Sequence, residues 1–283
     1  MDWLRAGRGE EARMGDFASD GARWRFSSML WNLGRQYSIE HRLEMLAGAG
    51  YVGAELTDEW RSWSPTEMRR IVATRHALGI DFDLIFPAKV SLTETDKRDL
   101  LRAQVKEAIP VAQELGTTHF AFSSGAHIAG ATKEQEWSAI SDGLKIAADA
   151  VGDAKMTILL EPIDVLENPK LAINSALDGF ALVRALNDPR IKVLYDLYHE
   201  QRGTGNVIDT LRKNIDLTAT VHIADVPGRH HPGTGEMNYA NIYRELARLN
   251  YSGYVCMEFY PLGDTTTELK AAREEALAAA RTA

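Results

Sequence analysis

VHIADVPGRHHPGTGEMNY, residues 221–239, decides how this chain is read. A short apolar run carries His222, the chain breaks at Pro227, Gly228, Pro232, Gly233 and Gly235, and a helical pattern resumes near Asn238. The unit is strand, polar loop, helix. His222, His230 and His231, the Arg229 guanidinium and the Glu236 carboxylate are more chemistry than a simple connection needs, and they mark one wall of a polar site.

The same unit recurs in both directions. Downstream come a helix over 239–249, a strand over 253–257 running into Glu258, and an Ala/Glu/Leu-rich helix from about Thr266. Upstream, a helix over 207–214 follows a strand over 191–195 that runs into Asp196. A helix over 175–186 follows an apolar strand over 157–160 that stops at Glu161-Pro162. Further back lie a helix over 132–149, a strand over 119–122, and a helix over 96–115 ended by Gly116, in which Pro110 is expected to cause a kink or interruption. A strand over 82–86 follows a helix that starts at Ser64-Pro65 and ends at Leu78-Gly79. The first two strands cover 25–31 and 52–56; between them Ser38 caps a helix with Leu43, Leu46 and Ala47 on one face and Gly50 as its stop. Eight such units in about 260 residues, with short connections, predict an α/β fold of the (β/α)8 or TIM barrel type, one domain over 25–283. Residues 1–24, rich in Gly, Ala, Arg and acidic side chains and without a period, read as an N-terminal extension, disordered or packed outside the barrel.

Composition narrows the classes of function. The 283 residues are 45% hydrophobic, enough for a sizeable core, and carry a formal charge of -8 with no Lys/Arg block, which argues against a nucleic-acid surface. The single cysteine, Cys256, excludes an intrachain disulfide framework and a Cys-rich zinc site. It reads as a small core residue beside Glu258. Nothing approaches the roughly 20 apolar residues of a membrane span, and residues 1–23 lack the apolar core of a secretory signal. The expectation is a soluble, cytoplasmic protein that acts on a small molecule, without nucleic-acid or membrane partners and compatible with a homo-oligomer. Phosphate loops and nucleophile elbows are absent from the sequence.

A TIM barrel does its chemistry at the C-terminal ends of its strands. The unusual polar residues fall there: Glu161 ends strand five, Asp196 ends strand six, His222 lies on strand seven and Glu258 ends strand eight. One such carboxylate reads as a solvated rim residue. Three in successive units, with an imidazole among them, cannot all stay ionised in a buried ring without a cation, so the set reads as a metal site. Oxygen-rich ligands with one imidazole suit Mn²⁺ or Mg²⁺, while Co²⁺ and Zn²⁺ also accept them.

LLEPID (159–164), YDLYHEQ (195–201), the stretch from His222 to Tyr239 and GYVCMEFYP (253–261) resemble the hydroxypyruvate isomerase family. That family is part of the xylose-isomerase-like barrels, together with ketose 3-epimerases and apurinic endonucleases. The resemblance runs from about Phe26 onward and implies that Glu161 and Glu258 are the acid/base pair and that Asp196 is in the metal ring. Hydroxypyruvate isomerases often carry glutamine where this chain has His222, whereas ketose 3-epimerases carry histidine. The implied activity is a metal-dependent isomerisation of a small 2-oxo/hydroxy acid or sugar, of the hydroxypyruvate/tartronate semialdehyde type, through an enediolate. The alternative is a ketose 3-epimerase; a metal-dependent nuclease or a non-catalytic sugar-binding barrel are the more distant readings.

Two further residues are candidate substrate contacts. Arg229 can hold a substrate carboxylate through two parallel hydrogen bonds, or pair with Glu236 and stiffen its loop. His199 can bond a substrate oxygen or support the metal ligands. His230 and His231 read as solvated, and Trp31, Trp60, Trp63 and Phe86 as an apolar cover of the mouth or as packing.

Overall fold

The computed structural model describes residues 22–283. Eight parallel strands close in chain order: β1 Arg25–Met29, β2 Gly53–Leu56, β3 Asp81–Ile85, β4 His119–Ser123, β5 Thr157–Glu161, β6 Ile191–Asp196, β7 Thr218–Ile223 and β8 Tyr254–Met257, with β8 paired to β1. The barrel is the TIM barrel expected from the alternation. Around it lie α1 Ile39–Gly48, α2 Pro65–Leu78, α3 Arg98–Leu115, α4 Lys133–Val151, α5 Ala176–Leu186, α6 Leu197–Gly203, α7 Val207–Asn214, α8 Tyr239–Arg248 and α9 Thr265–Ala280.

Local chemistry explains the helix ends. Ser64 and Glu67 close a capping box at the start of α2, Thr132 and Gln135 another at the start of α4, and Ser38 accepts the His41 N–H at α1. Gly79 and Gly116 take the left-handed conformation just beyond α2 and α3. The main core lies between strands and helices, with Leu43, Leu46, Leu101, Val105, Ile140, Leu144 and Leu269 among its buried residues. Removing one such leucine side chain costs about 2–5 kcal/mol. A separate apolar cluster of Leu84, Ala121, Leu159 and Leu194 fills part of the bore. Leu159 and Leu194 stand two residues before Glu161 and Asp196, hence on the same face of their strands.

Several expectations need correction. Pro110 does not interrupt α3, because Pro110 and Lys106 are both exposed and the carbonyl that loses its N–H partner faces solvent. The stripe Leu101, Val105, Ala108, Ala112 and Leu115 stays buried throughout. β1 ends at Met29, and residues Leu30–Leu33 form a 3-10 turn. Residues 1–21 of the expected extension lie outside the described residues. Its last part is not loose, since Ala22 and Trp24 are buried, Trp24 edge-on to Phe26. Among the described residues no helix is long and apolar enough to cross a membrane.

Candidate active site

Strand register assembles the polar ring. Glu161 and Asp196 are the last residues of β5 and β6, His222 pairs in register with Asp196, and Glu258 follows β8 with its N–H donating to Ile223 O at 2.9 Å. Ligand atoms of Glu161, Asp196, His222 and Glu258 all lie within 4.8 Å of one another, and none of the four residues is more than 6% exposed. Three buried carboxylates and one imidazole form a group able to hold a divalent ion, and the oxygen-rich donor set fits Mn²⁺ or Mg²⁺.

The two glutamates differ in their partners. Glu258 Oε2 lies 2.6 Å from His222 Nδ1 and 2.8 Å from Arg229 Nη2. Burial alone would raise its pKa, but Arg229 and His222 draw it down to about 2. The Glu161 carboxylate has no hydrogen bond or ion pair with any described residue. Burial lifts it to about 7, His222 and His199 opposing, Glu258 and Asp196 adding to the rise. The surroundings thus pull the two carboxyls apart, Glu161 upward and Glu258 downward.

Arg229 reaches the ring because its loop is folded around one carboxylate. Asp225, fully buried, accepts the backbone N–H groups of Val226 (2.8 Å), Gly233 (2.9 Å), Gly235 (3.0 Å) and Met237 (3.1 Å). Arg229 N–H donates to Asp225 O and the residue sits at φ 58°, a conformation uncommon outside glycine. Its guanidinium then bonds Asp196 Oδ2 at 3.2 Å as well as Glu258, and lies 4.9 Å from the Tyr198 ring and 5.8 Å from Trp31. The expected alternative partner, Glu236, is exposed and accepts from Gln201 instead.

His199 sits at the start of α6, a short helix between β6 and α7. Asp196 caps this short helix, its Oδ1 accepting from Tyr198 and His199 N–H. The His199 ring bridges Asp164 Oδ2 (Nδ1, 2.7 Å) and Asp196 Oδ2 (Nε2, 3.4 Å). Burial favours its neutral form, yet Asp196 and Asp164 raise its pKa overall. His230 and His231 are half-buried on the loop: His230 Nδ1 is 2.9 Å from Tyr260 O, and His231 lies edge-on to Phe259. Trp31 stands at the mouth against Tyr260; Trp60 bonds Phe86 O and Trp63 packs on Phe82, both as wall packing.

Sequence reasoning missed Glu55. This residue of β2 is fully buried, and Glu55, His222 and Cys256 also offer ligand atoms within 4.8 Å of one another. An acid inside the apolar strand GAEL was the only signal. Asp225 and Asp164 were also missed, since their partners are backbone amides and a histidine brought in by the fold.

Comparison with known proteins agrees with this architecture. The profile described as Xylose isomerase-like TIM barrel matches residues 43–281. The chain is 28% identical over 250 residues to the hydroxypyruvate isomerase of Escherichia coli K12, covering 86% of this chain and 95% of that protein. It is 29% identical over 168 residues to the 2-oxo-tetronate isomerase of Cupriavidus necator, covering 59% of this chain and 65% of that relative. Among solved structures it superposes on the family 2 AP endonuclease of Brucella melitensis with a TM-score of 0.79 at 25% identity, over 87% of this chain and 96% of that one. An L-ribulose 3-epimerase shares the fold with a TM-score of 0.76 at 19% identity, over 92% and 96%. By its barrel and the extent of the profile match, the chain belongs to the xylose isomerase-like TIM barrel family.

Proposed function

We propose that this barrel is a divalent-metal-dependent isomerase of small 2-oxo/hydroxy acids, of the hydroxypyruvate/tartronate semialdehyde type. That it is an isomerase rests on the hydroxypyruvate and 2-oxo-tetronate isomerases to which it is similar. The substrate class rests on Arg229. Its Nε and Nη2 are engaged by Glu258 and Asp196, while Nη1 donates to no described residue and is left for a ligand carboxylate beside the ring.

Glu161, Asp196, His222 and Glu258 would hold the ion, which when bound polarises the substrate carbonyl and its neighbouring hydroxyl. Glu258 would take the proton from C3 of hydroxypyruvate. Glu161, facing it across the ring, would deliver one to C2, completing the shift of the carbonyl. The O3 hydroxyl proton moves to O2, and His199, held by Asp164 beside the ring, is placed to carry it. Atoms balance, with no external oxidant or reductant.

A second reading, 3-epimerisation of a ketose, is favoured by one observation: the fourth ring member is the imidazole of His222. The same two glutamates would then act on opposite faces of a single carbon. Phosphodiester cleavage fits less well, with one imidazole in the ring and a formal charge of -8.

Proton NMR in deuterated water, with the Mg²⁺-loaded protein, tests the proposal. Hydroxypyruvate is expected to convert with deuterium at C2 of the product. Deuterium at C3 of a ketose instead moves the assignment to the epimerases, and no exchange in any substrate defeats both.

A further inference from the structure

His222 uses both ring nitrogens, and only one faces the ring of four. Nδ1 is 2.6 Å from Glu258, while Nε2 points the other way and lies 2.9 Å from Glu55 Oε2. The approach is close but off the hydrogen-bond direction, so both atoms also count as buried without an aligned partner. His222 is 1% exposed and Glu55 fully buried, so bulk water does not serve either group.

The contact crosses the bore, since Glu55 comes from β2 and His222 from β7, strands that are not neighbours. Its placement depends on specific backbone features. The β2–β3 register shifts between Ala54 and Glu55, an irregularity of the kind that re-aims a side chain. Two residues earlier, a Cβ at Gly53 would come within 2.6 Å of Ser27 Cβ and 2.8 Å of Asp83 Oδ1, so β2 approaches its neighbours there as only glycine allows. Ser27 Oγ donates to the other Glu55 oxygen at 3.3 Å. Burial and the adjacent Glu55 push the Asp83 carboxyl well above its usual range. A buried carboxylate is costly without a donor, and the N–H it meets across the bore is that of the His222 ring.

We propose that Glu55 is the positioning residue of the metal centre: it receives the Nε2 proton of His222 and so fixes the ring with Nδ1 presented to the ion. This rests on the functional reading above in so far as a divalent ion binds the ring of four. Carboxylate partners of ligand histidines orient the ring and raise its basicity, and their loss typically weakens metal affinity 10–100-fold.

The test is Mn²⁺ titration of chelator-treated protein, followed by electron paramagnetic resonance, with the visible spectrum of the Co²⁺-loaded protein as a second readout. Glu55→Ala is expected to weaken Mn²⁺ binding about 10–100-fold and to shift the Co²⁺ bands. Glu55→Gln, whose amide oxygen still accepts from Nε2, is expected to recover most of the affinity. In a His222→Gln background, Glu55→Ala is expected to add no further loss. Unchanged affinity and spectrum in Glu55→Ala overturn the proposal, as does a full loss that persists without His222. ¹⁵N-histidine NMR of the wild-type protein loaded with Zn²⁺ needs no variant to fold: a protonated Nε2 and a metal-bound Nδ1 support it, and the reverse sinks it. Wild-type protein that binds no divalent ion fails the functional reading first, and this inference with it.

Discussion

Glu161 and Glu258 are the same residue type, equally buried at 6% exposure, at the ends of two strands of one barrel, yet their surroundings pull them in opposite directions. On the β8 side, a guanidinium and an imidazole touch the carboxylate. On the β5 side no cation among the described residues comes within ion-pairing distance. Burial is therefore not what separates an acid from a base here; the placement of Arg229 and His222 is.

The largest expected effect comes from neutralising either member. Glu161→Gln and Glu258→Gln should each lower solvent-deuterium exchange into the substrate by about 10²–10⁴-fold with the circular dichroism unchanged. Near-wild-type exchange in either variant would break the contrast. Chelation should abolish exchange in the wild-type protein, and added Mn²⁺ or Mg²⁺ should restore it.

Next in size is a pH effect on the stability of the chelated protein, read by urea unfolding. The Glu161 pKa is raised from 4.5 to about 7, so its contribution is present below pH 4.5 and is lost as pH rises toward 7, an amount of about 3 kcal/mol. Glu258 is lowered to about 2, so its contribution is present above pH 4.5 and is lost as pH falls toward 2. Glu161→Gln should flatten the first slope and leave the second. Equal slopes in the two variants would show the asymmetry to be absent in solution.

Removing the cation should sharpen the picture. Arg229→Met is expected to raise KM for a carboxylate substrate about 30-fold, near 2 kcal/mol, with a smaller effect on uncharged ketoses. Equal losses for both substrate types would argue that Arg229 acts only on Glu258. The smallest effect is indirect: Asp225→Asn replaces one of the oxygens that hold the loop and should cost about 1–2 kcal/mol, a Tm drop of roughly 2–8 °C by calorimetry.

What the sequence revealed was local and periodic. Ser64-Pro65, Gly79 and Gly116 bound their helices as read, and Glu161, Asp196, His222 and Glu258 were visible because each stands where an apolar strand stops or turns polar. What it hid depends on partners that only folding supplies. α6 has seven residues, too few to display a period, and its cap, Asp196, is also the last residue of β6. The nearby Glu236 was a natural partner for Arg229, but the loop turns the guanidinium inward to residues on β6 and β8. Glu55 gained meaning only when closure of the barrel set β2 opposite β7.

By composition, the loop over 225–237, with its glycines and prolines, is the segment one would pick as most pliant. Its amides say otherwise, since Gly233, Gly235 and Met237 are bound to a fully buried carboxylate and Glu236 to Val226 O, while a methyl at Gly235 would collide with that same oxygen at 2.1 Å. In hydrogen exchange these amides should keep their protons as strand amides do. The wall bearing Arg229 is thus a fixed jaw, and it extends to Tyr260, whose N–H donates to Arg229 O at 2.7 Å.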